Sequence, residues 1–301
     1  MSFKGNGTLR HIAFLMFISA MMGGVFPLIK VAGQDITPVT LAMVRALLAA
    51  VILLVIVGVV MKRDLTPLIS QWRAYAILGG LLGTFFISMP EAEARISPNL
   101  ASLLTCFIPI STFLIVTLIL RWEKFAFSRL LGGFVALGGV AMFIGLEKIQ
   151  FGRSQFIGVG IMSCGFIIYA VYLIYVRACK FDPFVATTGT MVYVALILAV
   201  AAFTLEQPLE LRPNKEALLA TLAIGVGATG LAYAMLNYLI DSAGVVYAAT
   251  MGYFIPIFSI VASYFLVGDT IGLLQVVGLG MTLVGAWLVN RKLEPLAVHH
   301  H

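Results

Sequence analysis

Ten stretches free of charged side chains organise this sequence: residues 11–29, 36–61 with Arg45 as the one interruption, 74–90, 96–120, 130–146, 154–176, 183–205, 217–240, 242–268 and 270–290. About 20 mostly apolar residues carry a helix across the hydrocarbon of a bilayer, and each stretch is close to that length or beyond it. A soluble fold has no room for them. Of the 301 residues, 61% are hydrophobic and 11% charged, against about 45–50% and about 25% in soluble domains. Surface area falls too slowly with size for a soluble chain of this length to hide that much apolar side chain. A soluble enzyme, a disordered chain and a disulfide scaffold are excluded. A transmembrane β-barrel would need runs of about ten residues with polar alternation, which are lacking. The sequence predicts an all-α integral membrane protein of ten transmembrane helices.

Charge sets the expected orientation. The net charge of +6 reflects the bias of Lys and Arg towards cytoplasmic connections, and no nucleic-acid partner is implied. With the first residues inside, Lys30, Arg95, Lys148, Arg153, Arg212 and Lys215 fall outside and Arg45 within a span, leaving twelve of the 19 cations inside. Both termini are therefore expected in the cytoplasm. The run after Lys4 and Arg10 reads as a retained first helix rather than a signal peptide. The three cysteines, Cys106, Cys164 and Cys179, have no metal or redox spacing and read as small core residues. His299–His301 look like the remnant of a purification tag.

The chain also resembles itself. Phe107-Ile108-Pro109-Ile110 recurs as Phe254-Ile255-Pro256-Ile257, an offset of 147. The same offset places Gly80 on Gly227, Gly83 on Gly230 and Ala101 on Ala248. One residue less places Glu123 on Asp269, Gly132 on Gly278 and Gly139 on Gly285, and Pro38 matches Pro183. Each half thus holds five helices, in residues 1–150 and 151–298. Because five is odd, the second half enters the membrane from the opposite side. Two inverted repeats are the usual basis of alternating access in secondary transporters.

Further residues carry a family resemblance. Asn99-Leu100-Ala101-Ser102-Leu103-Leu104, then Pro109, Leu120-Arg121-Trp122-Glu123-Lys124 and the glycine-rich stretch from Gly132 to Gly145 are similar to the drug/metabolite transporter superfamily in its ten-helix EamA-type form. Pro256, Leu266-Val267-Gly268-Asp269-Thr270 and Gly278 to Gly285 repeat the pattern, and Gly24-Val25-Phe26 and Arg45 also fit it. Within that superfamily the chain looks most like bacterial inner-membrane exporters of aromatic amino acids and methyl viologen. Those tend to carry Tyr, His or Trp where this chain has Phe85, Phe86, Met89 and Ile108. The resemblance implies an exporter with an apolar cavity. The branches that bind nucleotide sugars or triose phosphates place cations in the cavity, where this sequence offers only Arg45.

Candidate cavity residues follow from helical spacing and repeat symmetry. Phe85 and Met89 share a face of the third helix, Tyr169 and Tyr172 of the sixth, and Tyr233 and Asn237 of the eighth. Thr105 and Tyr253 precede the fourth- and ninth-helix prolines, beside Ile108. Tyr and Asn offer hydrogen bonds to an amine or carboxylate, and Phe and Met an adaptable wall; packing within the bundle is the alternative for each. Pro109 and Pro256 each remove a helical hydrogen bond, as hinges or as static kinks. Arg45 lies roughly 10 Å into its span and is expected to snorkel or to pair with Glu91, Glu93 or Asp35. Glu91 and Glu93 end the third helix and are expected as solvated mouth charges, with attraction of cationic substrates or a proton relay as the alternatives. Glu123 and Asp269 read as helix-end carboxylates. The glycine pairs serve close packing or a homodimer face.

The sequence has no GxxxxGK phosphate loop, no metal-ligand cluster and no GxSxG element, so neither a cofactor, a metal nor an enzyme activity is called for. The expected function is secondary export of amino acids or similar small amphipathic metabolites across a bacterial inner membrane. Export of lipophilic cations is the alternative within this class; a channel or intramembrane enzyme lies outside it.

Overall fold

A computed structural model describes residues 4–122, 126–144, 152–267 and 272–290. The sequence features Glu123, Lys124, Gly145, Gly268, Asp269 and Thr270, the expected boundary at 150/151 and the tail 299–301 lie outside the described residues. Among the described residues there are helices and no strands.

Eight helices are long and apolar enough to span a bilayer: α1 Leu9–Ala32, α2 Pro38–Val60, α3 Trp72–Glu93, α4 Pro98–Ile119, α6 Arg153–Cys179, α7 Pro183–Leu205, α8 Lys215–Ala243 and α9 Val245–Phe265. Two more apolar helices of 18 residues each are α5 Phe127–Ile144 and α10 Leu273–Asn290. The outward faces carry Leu47, Val55, Val59, Leu131, Phe134, Phe203, Phe265 and Trp287 in the open, as a lipid solvent allows.

The repeat offsets can be read as contacts. Phe86 and Tyr233 stand 147 residues apart, as do Thr105 and Gly252; Ala136 and Thr282 stand 146 apart. In each case the two counterparts touch. The Phe86 and Tyr233 rings meet edge-on at 5.7 Å, the Thr105 hydroxyl donates to the Gly252 carbonyl at 2.8 Å, and the Thr282 hydroxyl lies 3.5 Å from the Ala136 carbonyl. Residues that meet their own counterparts mark a pseudo-two-fold axis between the halves.

Counterpart helices run antiparallel, as inversion requires. A Cβ on Gly139 would lie 2.5 Å from the backbone nitrogen of Thr282, and one on Gly132 would lie 2.8 Å from the Gly285 carbonyl. The α5–α10 seam therefore runs 132 against 285 and 139 against 282, and it closes only because these positions lack side chains. Gly79 is pressed in the same way against Tyr193, whereas Gly80, Gly160 and Gly280 face open space.

Helices α2 and α7 are tied at both ends by related contacts. At one end Glu206, just past α7, accepts hydrogen bonds from the first turn of α2: from the hydroxyl of Thr37, from the Val39 and Thr40 amides at 3.1 and 2.8 Å, and from the Thr40 hydroxyl at 2.7 Å. These satisfy amide donors that a helix start leaves without partners. At the other end Asp182 caps α7 through the Phe184 and Val185 amides and meets Arg63, beyond α2, at 3.6 Å. We refer to these as the Glu206 end and the Arg63 end.

Partial burial works to raise the Glu206 carboxyl, but its hydrogen bonds from Thr37, Thr40 and Val39 hold it below the ordinary glutamate range. A depressed carboxyl stabilises the fold above the unfolded-state value and loses that contribution as pH falls through the native one. Glu206→Gln is expected to lower stability by about 1 kcal/mol at pH 7, the usual worth of a helix cap. The gap to the parent should close on acidification below about pH 4. Thermal unfolding in detergent across pH checks this, and a gap that persists in acid would contradict it.

Candidate functional site

The prolines shape the middle of the bundle. A proline lacks the N–H that would bond the carbonyl four residues back. Pro256 therefore frees the Gly252 carbonyl, and Pro109 that of Thr105. In lipid such a group needs another partner. The Thr105 hydroxyl supplies one, reaching the Gly252 carbonyl at 2.8 Å and that of Ser102 at 2.6 Å. Both helices are irregular just before the proline: α4 tightens into a 3₁₀ turn over Leu104–Cys106, and α9 breaks at Thr250. Helices α4 and α9 thus cross at their weak points, locked by one hydroxyl.

Beside this crossing lies a small void of about 30 Å³. Of the sequence candidates, Phe85, Met89, Thr105, Ile108, Tyr169, Tyr233 and Arg45 line it. It also draws on Met22, Val25 and Phe26 of α1, Phe166 of α6, Ala228 of α8 and Ile255 of α9. Sequence reasoning missed these six because they are apolar or small residues without a distinguishing polarity. The helical spacing of Met22, Val25 and Phe26 was the one available signal. Tyr172, Asn237 and Tyr253 do not line the void. The Asn237 amide donates to the Thr187 hydroxyl at 2.7 Å and borders a separate cleft with Arg177 and Asp241 at the Arg63 end. Tyr253 is buried, its hydroxyl directed at the α5 backbone near Gly133. Pro109 is buried beside the void without lining it.

Aromatic rings close the void toward the Arg63 end. Phe85 stacks on Tyr169 at 4.5 Å, Tyr169 stacks on Tyr172 at 5.7 Å, and Tyr233 stands edge-on to Tyr169 at 6.2 Å. Such pairs are each worth about 0.5–1.5 kcal/mol beyond area burial.

Arg45 does not snorkel: the residue is 2% exposed. Nor does it form the expected ion pair. Glu91 bonds Arg95, four residues on, at 2.6 Å on the rim, and Asp35 accepts the Asn214 amide at 2.9 Å. Glu93 is not a solvated mouth charge either, being 3% exposed with no hydrogen bond to either oxygen. Arg45 Nε donates to the Thr229 hydroxyl at 3.2 Å, Nη1 reaches the Met89 sulfur at 3.9 Å, and the guanidinium lies over the Phe86 ring at 4.0 Å. Among the described residues no carboxylate is within ion-pair distance of it. A cation held by one hydroxyl, a sulfur and a ring face retains donors for an anionic guest at the void wall.

Comparison with known proteins agrees with this architecture. The EamA-like transporter family matches residues 10–145 and again 156–291. The chain belongs to that family. As a member of it the chain is a multi-pass membrane transporter and not an enzyme. It is 25% identical over 301 residues to the "Uncharacterized transporter YdfC" of Bacillus subtilis (strain 168), covering 97% of this chain and 96% of that one. It is 22% identical over 272 residues to an "Uncharacterized transporter" of Archaeoglobus fulgidus, covering 90% and 95%. A protein of known crystal structure shares the fold with a TM-score of 0.77 over 92% of this chain and 95% of its own, at 16% identity. The family's two matched segments correspond to the two halves that meet at the pseudo-two-fold axis.

Thr105→Val keeps the shape of the side chain but leaves the freed Gly252 carbonyl with only the weak Cys106 thiol donor at 3.7 Å. A loss of about 1–3 kcal/mol is expected, read as a lower thermal midpoint of the purified transporter. An unchanged midpoint would contradict this account of the crossing.

Proposed function

We propose that the protein is a secondary transporter that exports amino acids or similar small amphipathic metabolites across a bacterial inner membrane. Ten crossings with both termini in the cytoplasm, and alternating access between two inverted halves, complete this reading. The observation that carries it is Arg45 at the wall of a void lined, apart from Thr105, by apolar and aromatic side chains. The guanidinium offers fork donors suited to a carboxylate, while Phe85, Met89, Phe166 and Ile255 suit a hydrocarbon or ring. The same charge argues against lipophilic cations as the main substrate, since a cation in the void would meet the guanidinium at its wall in a low dielectric. The aromatic closure at the Arg63 end favours a carrier over an open channel.

The test is counterflow in liposomes, with a panel of amino acids trapped inside and labelled amino acid outside. Saturable exchange above that of empty vesicles is expected for apolar amino acids. Arg45→Gln is expected to weaken half-saturation by about tenfold or more, the equivalent of one charge-assisted hydrogen bond. Flux that never saturates would favour a channel. Exchange of lipophilic cations alone, indifferent to Arg45→Gln, would favour the multidrug alternative.

A further inference from the structure

A second space opens at the Glu206 end, about 340 Å³ and lined by Lys30, Asp35, Thr37, Pro90 and Glu93 among others. Glu93 lies at its inner side, last in α3, fully enclosed and with neither carboxylate oxygen hydrogen-bonded. Four residues earlier on the same face is Met89, which lines the central void and touches Arg45. One helical turn, about 5.4 Å, separates the two positions along α3. Glu93 therefore sits between the outer space and the Arg45 wall of the void.

Charge in this region is sparse and asymmetric. The helices packed on α3 carry only Arg10 and Lys30 in α1, Arg45 in α2, and Arg153 and Arg177 in α6 as charged residues; α7 and the start of α4 carry none, and Arg10 is bonded to the Tyr238 hydroxyl. Arg177 is held by Asp241 at the Arg63 end, and on the rim Glu91 and Arg95 hold each other. In the register of Gly83 on Gly230, the counterpart of Glu93 is Ile240; in the register of Pro38 on Pro183, that of Arg45 is Thr190. The second half builds the same helices without either charge, so the fold itself does not require them. A buried carboxylate without hydrogen bonds is costly, and the C-terminal end of α3 adds the unfavourable pole of a helix dipole.

We propose that Glu93 is a proton-binding site of the transport cycle, linked through Arg45 to the occupancy of the central void by a carboxylate. With the void empty, Lys30, which lines the outer space with Glu93, and Arg45 together supply the countercharge for an ionised Glu93, and of the two only Arg45 faces the void. When a substrate carboxylate settles on Arg45, that countercharge is taken up and Glu93 binds a proton from water on the side of loading. On release the carboxylate leaves Arg45 and the Glu93 proton returns to water on the side of exit. Substrate and proton bind together, and by linkage each strengthens the other's binding equally. A monoanionic substrate then crosses with no net charge of its own. The substrate side of this proposal rests on the transport reading above; the proton site does not.

The test uses the full-length protein reconstituted in lipid. Infrared difference spectra over a pH titration should show, for the parent, the carbonyl stretch of a protonated carboxylic acid that is missing from Glu93→Gln. Addition of L-leucine or N-acetyl-L-leucine should increase that band. Calorimetry in buffers of different ionisation enthalpy should read about one proton taken up per probe bound, and none in Glu93→Gln. If Glu93→Gln does not assemble, Arg45→Gln decides the matter in its place, since the probes should then leave the band unmoved. A titrating band that survives in Glu93→Gln, or probe binding by the parent without proton uptake, overturns the proposal. Should neither probe bind or exchange, the substrate reading fails, and the pH-titrated band alone decides whether Glu93 holds a proton.

Discussion

In hydrocarbon a helix can be interrupted only where something replaces the backbone hydrogen bond that is lost. This chain interrupts α4 and α9 with repeat-related prolines, and the replacement on one side is a threonine hydroxyl from the other half. The crossing of the two helices, the position of the void beside it and the meeting of the halves all depend on that exchange. The void exists because two helices that would otherwise pack continuously are bent at the same depth. The bond that stabilises the bend also aligns the axis.

Two kinds of contact hold the halves together around this centre. The α5–α10 seam is a close approach of backbones made possible by missing side chains, and its energy is dispersion over a large area. The α2–α7 ties are polar and placed at the helix ends, where Glu206 and Asp182 each satisfy amides of a helix start. Between them the interior polarity is mostly hydroxyls bonded to their own helices. Arg45 and Glu93 are the buried charged side chains among the described residues, both from the first half, and neither hydrogen-bonded to the other.

Much of the architecture was legible because lipid makes strong demands. Run length alone marks the helices, and the offset of 147 marks counterparts that do touch in space, since a register kept over about 100 residues reflects equivalent folds. At the site, Phe85, Met89, Thr105, Ile108, Tyr169 and Tyr233 come together because each lies near the level of the proline crossing. Asn237 and Tyr172 share only a helical face with that group. Each is a turn nearer the Arg63 end, and helical face says nothing about depth. Partners were expected for Arg45 and Glu93 because buried charge usually finds them. The real partners of Arg45, a hydroxyl, a thioether and a ring, have no signature in sequence spacing.

The axis contacts have one more consequence. Thr105 faces Gly252, Ala136 faces Thr282, and Phe86 faces Tyr233 edge-on, so each place where the halves meet themselves holds unlike residues. A symmetric pair assembled from two copies of the first half would set threonine against threonine where only threonine against glycine fits. Two copies of the second half would leave a gap there and no hydroxyl for the freed carbonyl. Each half is thus the mould for the other, and neither has an equivalent substitute in itself.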